Sequence, residues 1–197
     1  MIKVFGDSHA LMFGEDIGVH CGALTAYNLD NKHNDKIFPL LKKHGVIKKP
    51  VENVGFIFGE IDCRIHIYNQ HMKTGEHITN LVSNTVEKYI NYLTMLKEEK
   101  ICNPIVYTVV PPGNQGNAYK YKYYADYEVR KLITFSFNHY LYTFCRKHNI
   151  LLINYYNLVA DLRGNRFEKY VYDKVHLNQE AGKIIIDFTE AIYLLKE

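Results

Sequence analysis

Tryptophan is absent from the 197 residues, proline occurs only 5 times, glycine 12 times and cysteine 4 times. So little Pro and Gly, beside 47% apolar and 23% charged residues, excludes collagen and low-complexity disorder and matches the make-up of one globular domain. Cys21, Cys63, Cys102 and Cys145 form no CxxC pair and lie mostly in apolar or amphipathic runs. They read as small buried hydrophobes and suit a reducing compartment. No apolar run approaches the roughly eighteen residues a membrane span needs. No charged-then-apolar leader precedes Met1-Ile2-Lys3-Val4-Phe5, so a cytoplasmic location is expected. A strand that starts at residue 2 leaves no slack before it, which equally fits a domain of a longer protein. A single-sign charge excess is also lacking: 24 Lys+Arg face 21 Asp+Glu. The densest basic stretch, Lys42-Lys43-His44 with Lys48-Lys49, is broken by Gly45-Val46-Ile47. A nucleic-acid binder would cluster its cations on one face, so no nucleic-acid partner is expected.

A chain of this length buries roughly 70% of the surface its unfolded form exposes, enough for a full core without disulfides or a structural metal. Its hydrophobic pattern alternates between short apolar runs and longer helical stripes, as in a parallel sheet flanked by helices. About five strands are expected, at Ile2–Phe5, Ile17–Cys21, Val54–Phe58, Ile105–Val110 and Ile150–Ile153. All are short and mostly apolar, as strands covered on both faces should be. Ile78, Leu81, Val82, Thr85, Val86, Tyr89, Ile90 and Leu93 recur at three and four, a long amphipathic helix. Val129 to His148 repeats the pattern. A last helix opens at Asn178, a suitable N-cap, and carries Ala181, Ile184, Ile185, Phe188 and Ile192. No internal repeat or linker interrupts the chain, so residues 1–197 are read as a single domain.

Working residues in such a sheet lie just past the carboxyl ends of strands. Three segments are unusually polar: Gly6-Asp7-Ser8-His9 after the first strand, Gly59-Glu60-Ile61-Asp62-Cys63-Arg64 after the third, and Asp173-Lys174-Val175-His176-Leu177-Asn178 before the last helix. A serine hydroxyl attacks well only when a base takes its proton, and the base works best when a carboxylate fixes its tautomer. Ser8, His176 and Asp173 supply that set, and the Asp173-x-x-His176 spacing lets one loop carry both carboxylate and ring. Each piece also has a plain structural use, since Asp7 or Ser8 can cap a helix and Asp173 with His176 can form a surface loop.

Gly6-Asp7-Ser8 at the start, Gly59-x-x-Asp62 after the third strand and Asp173-x-x-His176 before the last helix together resemble the SGNH (GDSL-type) hydrolase superfamily. The resemblance spans the chain in order but rests on fewer than a dozen residues. It implies a flavodoxin-like three-layer α/β sandwich with helices on both faces of the sheet, a shallow open site, and acyl chemistry with no metal and no organic cofactor. It makes Ser8 the nucleophile, His176 the base and Asp173 its orienter. The oxyanion donors it implies are the Ser8 amide and a glycine amide after the second strand, for which Gly22 is the candidate. The third donor departs from the pattern: Ile61 stands where an asparagine amide is expected. A lost oxyanion donor typically costs about 3 to 4 kcal/mol. Arg64 is a possible substitute, or else the partner of Glu60 or Asp62 in an ion pair.

His9, His20, Glu60, Asp62 and His66 fall on the same segments, with His71 and His77 following, and these polar groups would serve a polar ligand. The histidines lack the i, i+4 spacing of a helical zinc pair, so no metal site is expected. The irregular stretch Pro111–Tyr124, rich in Tyr and Asn, offers flat faces and adaptable hydrogen bonds for sugar rings. It is equally a Tyr-rich surface in a chain with 17 Tyr. The expected function is an esterase or deacetylase acting on acyl groups of a carbohydrate. Acyl transfer to a sugar hydroxyl and a non-catalytic glycan-binding domain are the alternatives. Methyl transfer fits less well, because no G-x-G-x-x-G loop follows any expected strand.

Overall fold

The structure, a computed structural model, describes residues 2–29, 36–48, 50–113 and 121–194. Five strands, β1 (Lys3–Gly6), β2 (Gly18–His20), β3 (Asn53–Ile57), β4 (Asn103–Tyr107) and β5 (Leu151–Ile153), form one sheet in the order β2-β1-β3-β4-β5. Every neighbouring pair is parallel, which is the flavodoxin order and the expected α/β architecture. Helices α1 (Ile37–Lys43), α2 (Ile67–Thr74), α3 (Ile78–Glu98), α4 (Tyr127–Lys147), α5 (Tyr156–Val159) and α6 (Gln179–Leu194) cover its two faces. The two-residue period of a strand divides the core. Phe5, Phe56 and Val106 join Val82, Tyr89, Leu93, Phe137 and Leu141 of α3 and α4. Val4, Ile57, Ile105, Tyr107 and Ile153 point the other way, to Ala181 and Ile185 of α6.

β4 starts and ends earlier than its apolar run indicates, and both boundaries have a cause. Pro104 lies one residue before the first pairing with β5, at Ile105, so its missing N–H removes no bond to that neighbour. Past Tyr107 the backbone of Val109 is taken over by a side chain. Asn138 on α4 accepts from its N–H at 2.7 Å and donates to its carbonyl at 3.0 Å.

The segment after β3 is helix rather than the expected loop. Residues 60 and 61 are already helical, Asp62–His66 form a π turn, and α2 continues from it. Gly59 makes the abrupt start possible. Its φ of +115° belongs to the glycine region, and a Cβ there would lie 2.6 Å from the Phe137 ring. The four cysteines are buried and free, and burial pushes the Cys21, Cys102 and Cys145 thiols up to about 12. Among the described residues no helix is long and apolar enough to cross a membrane.

Candidate active site

β1 delivers its last residue, Gly6, to a turn at the carboxyl edge of the sheet. Asp7 caps the six-residue 3-10 helix Ser8–Phe13, its Oδ1 accepting from the His9 amide at 2.9 Å. Capping therefore falls to Asp7, and Ser8 is left with its hydroxyl directed elsewhere. Ser8 Oγ lies 2.8 Å from His176 Nε2. As first residue of the 3-10 helix, Ser8 also presents an N–H with no acceptor inside that helix.

The loop that carries His176 is tied to itself. Tyr172 donates its amide to the His176 carbonyl at 3.0 Å, and Val171 bridges Leu177. Asp173 Oδ1 accepts from the amides of Val175 and His176, both at 2.7 Å, and its Oδ2 faces His176 Nδ1 at 2.8 Å. Partial burial works against the charge of Asp173, but these hydrogen bonds from His176 and Val175 outweigh it and pull the carboxyl down to about 2. An ionised carboxylate only accepts, so Nδ1 carries the ring proton and Nε2 is left to accept from the Ser8 hydroxyl. The loop reaches Ser8 because α6 packs tightly on the 3-10 helix. A Cβ at Gly182 would lie 1.9 Å from the Met12 carbonyl oxygen. Asn178 opens α6 as expected, its Oδ1 accepting from Ala181 at 3.1 Å, and its side-chain amide also donates to the Lys169 carbonyl.

The other residues singled out in the sequence divide into two sets. His9 and Glu60 are enclosed near the turn, and His9 lies against His176 with ring centroids 5.1 Å apart. Gly22, at φ +77°, follows the β2 register that pairs His20 with Gly6, and both Gly22 and His20 are exposed beside the Ser8 turn. Asp62 is 1% exposed, and its carboxylate accepts from the amides of Ala26 at 2.8 Å and Tyr27 at 3.5 Å. It clamps the segment after β2, and burial pushes its carboxyl up to about 7 against those bonds. Of the two uses open to Arg64, the ion pair is the one formed, with Nε donating to Glu60 Oε1 at 2.7 Å. Gly59 is required by the Phe137 ring below it.

Further from the turn, His77 caps α3 by accepting from Thr79 at 3.3 Å, and His71 Nδ1 lies 2.7 Å from the Glu76 carbonyl. Among the described residues no three His, Cys, Asp or Glu side chains gather as metal ligands. Of the Tyr-rich stretch, residues 114–120 lie outside the described residues, and Tyr121 packs edge-on against His66. Arg166 carries no signal in the sequence. Its Nε donates to the Pro111 carbonyl at 2.6 Å, joining the segment after β4 to the wall of a cleft of about 600 Å³ that also includes Gly113, Asp173 and Lys174. Nothing in a lone arginine with Gly164 and Asn165 before it points to such a tie.

No protein-family model and no curated protein sequence matches the chain. Solved structures do. A GDSL-like lipase from Bacteroides thetaiotaomicron superposes with a TM-score of 0.64 at 15% identity, over 98% of this chain and 88% of that one. An acetyl xylan esterase gives 0.59 at 14% identity over 98% and 99%. A carbohydrate acetylesterase from Sinorhizobium meliloti gives 0.57 at 12% identity over 98% and 100%. The fold is that of the GDSL-type hydrolases.

Proposed function

We propose that the protein is a serine-dependent esterase that removes acyl groups, with O-acetyl groups of a carbohydrate as its substrate class. The observation that carries this reading is the continuous hydrogen-bonded line from Ser8 Oγ through both nitrogens of His176 to Asp173, at the carboxyl edge of the sheet. In the proposed reaction Ser8 Oγ attacks the ester carbonyl while His176 Nε2 takes its proton. The amides of Ser8 and Gly22 are the donors assigned to the oxyanion that develops. His176 returns the proton to the departing alcohol, and Ser8 is left acylated. Water then attacks the acyl group with His176 again accepting the proton, which frees the carboxylic acid and restores Ser8.

The carbohydrate assignment draws on two of the structural neighbours, one described as an acetyl xylan esterase and one as a carbohydrate acetylesterase. It also draws on openness: the side chains of His176 and Asp173 keep 31% and 44% of their surface in solvent, so a bulky alcohol portion has room beside them. A sugar hydroxyl that replaced water in the second step would turn hydrolysis into transfer.

The test is incubation with an activated acetyl ester, with and without sugar acceptors, followed by mass analysis of protein and products. Free acetate and an acetyl adduct confined to Ser8 are expected, and Ser8→Ala should show neither while melting near wild type. Acetylated sugar as the main product would replace hydrolysis by transfer. Neither product, or a Ser8→Ala variant that keeps more than about a tenth of the activity, would refute the nucleophile assignment.

A further inference from the structure

His9 is 2% exposed, yet both of its ring nitrogens meet acceptors. Nδ1 lies 3.1 Å from Asp7 Oδ1, and Nε2 lies 3.2 Å from the backbone carbonyl of Val175. A neutral imidazole has one donor and one acceptor nitrogen, so it would set a lone pair against an oxygen lone pair at one of these two positions. Only the doubly protonated ring donates to both. In such an enclosed place an unmet polar group is costly, whereas a cation beside the Asp7 carboxylate is paired.

The Val175 carbonyl belongs to the same peptide unit as the His176 N–H, and that N–H donates to Asp173 at 2.7 Å. One peptide plane is thus held at both ends, by His9 on the nucleophile side and by Asp173 on the base side. The residue after the nucleophile thereby grips the residue before the base, across 166 positions of sequence. We propose that His9 is a positioning residue: it carries a proton on each ring nitrogen and, as a buried cation between Asp7 and Val175, holds His176 in line with Ser8. This assignment rests on the esterase reading for its effect on rate, though not for the protonation state.

Charged and titratable groups reach His9 from four segments. Asp7 stands on its own turn, Glu60 on the helix after β3, Arg166 on the segment after α5, and His176 on the loop before α6. Burial pulls the His9 pKa down, but the hydrogen bond and charge of Asp7, with the charge of Glu60, outweigh burial and Arg166 and hold it above the ordinary 6.5. When the proton leaves, Nδ1–H stays with the Asp7 carboxylate, and Nε2 stops donating to the Val175 carbonyl. Activity should then fall at the alkaline end, in kcat far more than in KM, because the base drifts while the substrate surface is unchanged.

The experiment is a pH titration of 15N-histidine-labelled protein by NMR, with His9 assigned by through-bond correlation to its own backbone and checked with His9→Gln, alongside kcat and KM on an activated acetyl ester. Two protonated His9 nitrogens are expected at about pH 6, with the loss of one above the range of a free histidine. The fall in kcat should cover the same interval. His9→Gln should lower kcat roughly ten- to a hundredfold, leave KM nearly unchanged and abolish that alkaline fall. A His9 ring with a single proton at about pH 6 overturns the proposal, and so does His9→Gln with wild-type kcat. Should His9→Gln not fold, the wild-type spectrum decides: the ring proton shared by His176 and Asp173 must shift as His9 titrates, and a stationary signal refutes the link. A wild type that turns over no ester removes the esterase reading, while the ring-proton count still settles the state of His9.

Discussion

Asp173→Asn is a sharper perturbation than its single-atom change implies, because the structure fixes which way the new amide must face. Asp173 Oδ1 accepts two backbone amides at 2.7 Å, a place only the amide oxygen of asparagine can take. The NH2 group is then left at the position of Oδ2, 2.8 Å from His176 Nδ1. Facing a donor, Nδ1 must accept, so the ring proton moves to Nε2 and the ring no longer accepts from Ser8. To react, the variant must restore the proton to Nδ1. Relative to wild type, the reacting ring then lacks the charged hydrogen bond of Asp173, worth about 1.5–3 kcal/mol, and faces a second donor at about 1–3 kcal/mol more. Together these give roughly 2.5–6 kcal/mol, or about seventy- to twenty-five-thousandfold in rate. His176 keeps 31% of its side-chain surface in water, which softens the clash, so a loss in the lower half, about a hundred- to a thousandfold, is expected. Initial rates on an activated acetyl ester at mildly alkaline pH measure it. The melting temperature should change little, since a pair this exposed contributes under about 1 kcal/mol. A kcat/KM within about threefold of wild type would refute both the tautomer reasoning and the role of Asp173.

Gly182→Ala should lower stability by about 1–3 kcal/mol through overpacking and reduce activity alongside, because the added methyl meets the Met12 carbonyl and pushes α6 off the 3-10 helix; denaturant unfolding and ester turnover read the two effects, and an unchanged pair would mean that the close packing does not matter. For Asp62 the sign follows from a pKa raised from 3.8 to about 7 on folding: the folded state holds the proton longer, so this residue contributes a loss of stability as pH rises between those values. Chemical denaturation of wild type and Asp62→Asn from pH 4 to 7 should therefore show the variant's relative stability improving with pH, and a pH-independent difference would refute the assignment.

The strands were legible because both faces of the sheet are covered, which leaves runs such as Val54–Phe58 almost wholly apolar. Ser8 was legible because polar residues follow the first apolar run at the edge where a parallel sheet places its ligands, and Asp173 with His176 because their spacing lets the one loop before the last helix carry both carboxylate and ring. The helix from residue 60 was not. Its π turn breaks the 3.6-residue period within Asp62–His66, so the apolar positions fall out of step. With a helix starting at residue 60, Glu60 and Arg64 stand at i and i+4, the spacing of an ion pair. The clamp from Asp62 to Ala26 and the hydrogen bond from His9 to Val175 join distant segments through backbone atoms, which carry no sequence identity.

Ser8 stands near the beginning of the chain and His176 near its end, and the bond between them closes a separation of 168 residues. On the proposed mechanism, a ribosome making this protein from its amino end therefore releases the attacking serine long before the histidine that activates it. Until α6 has docked, the serine on that mechanism is an ordinary, unactivated alcohol. On the proposed mechanism reactivity requires both ends of the chain to be docked, so ester turnover during refolding should lag behind the formation of secondary structure.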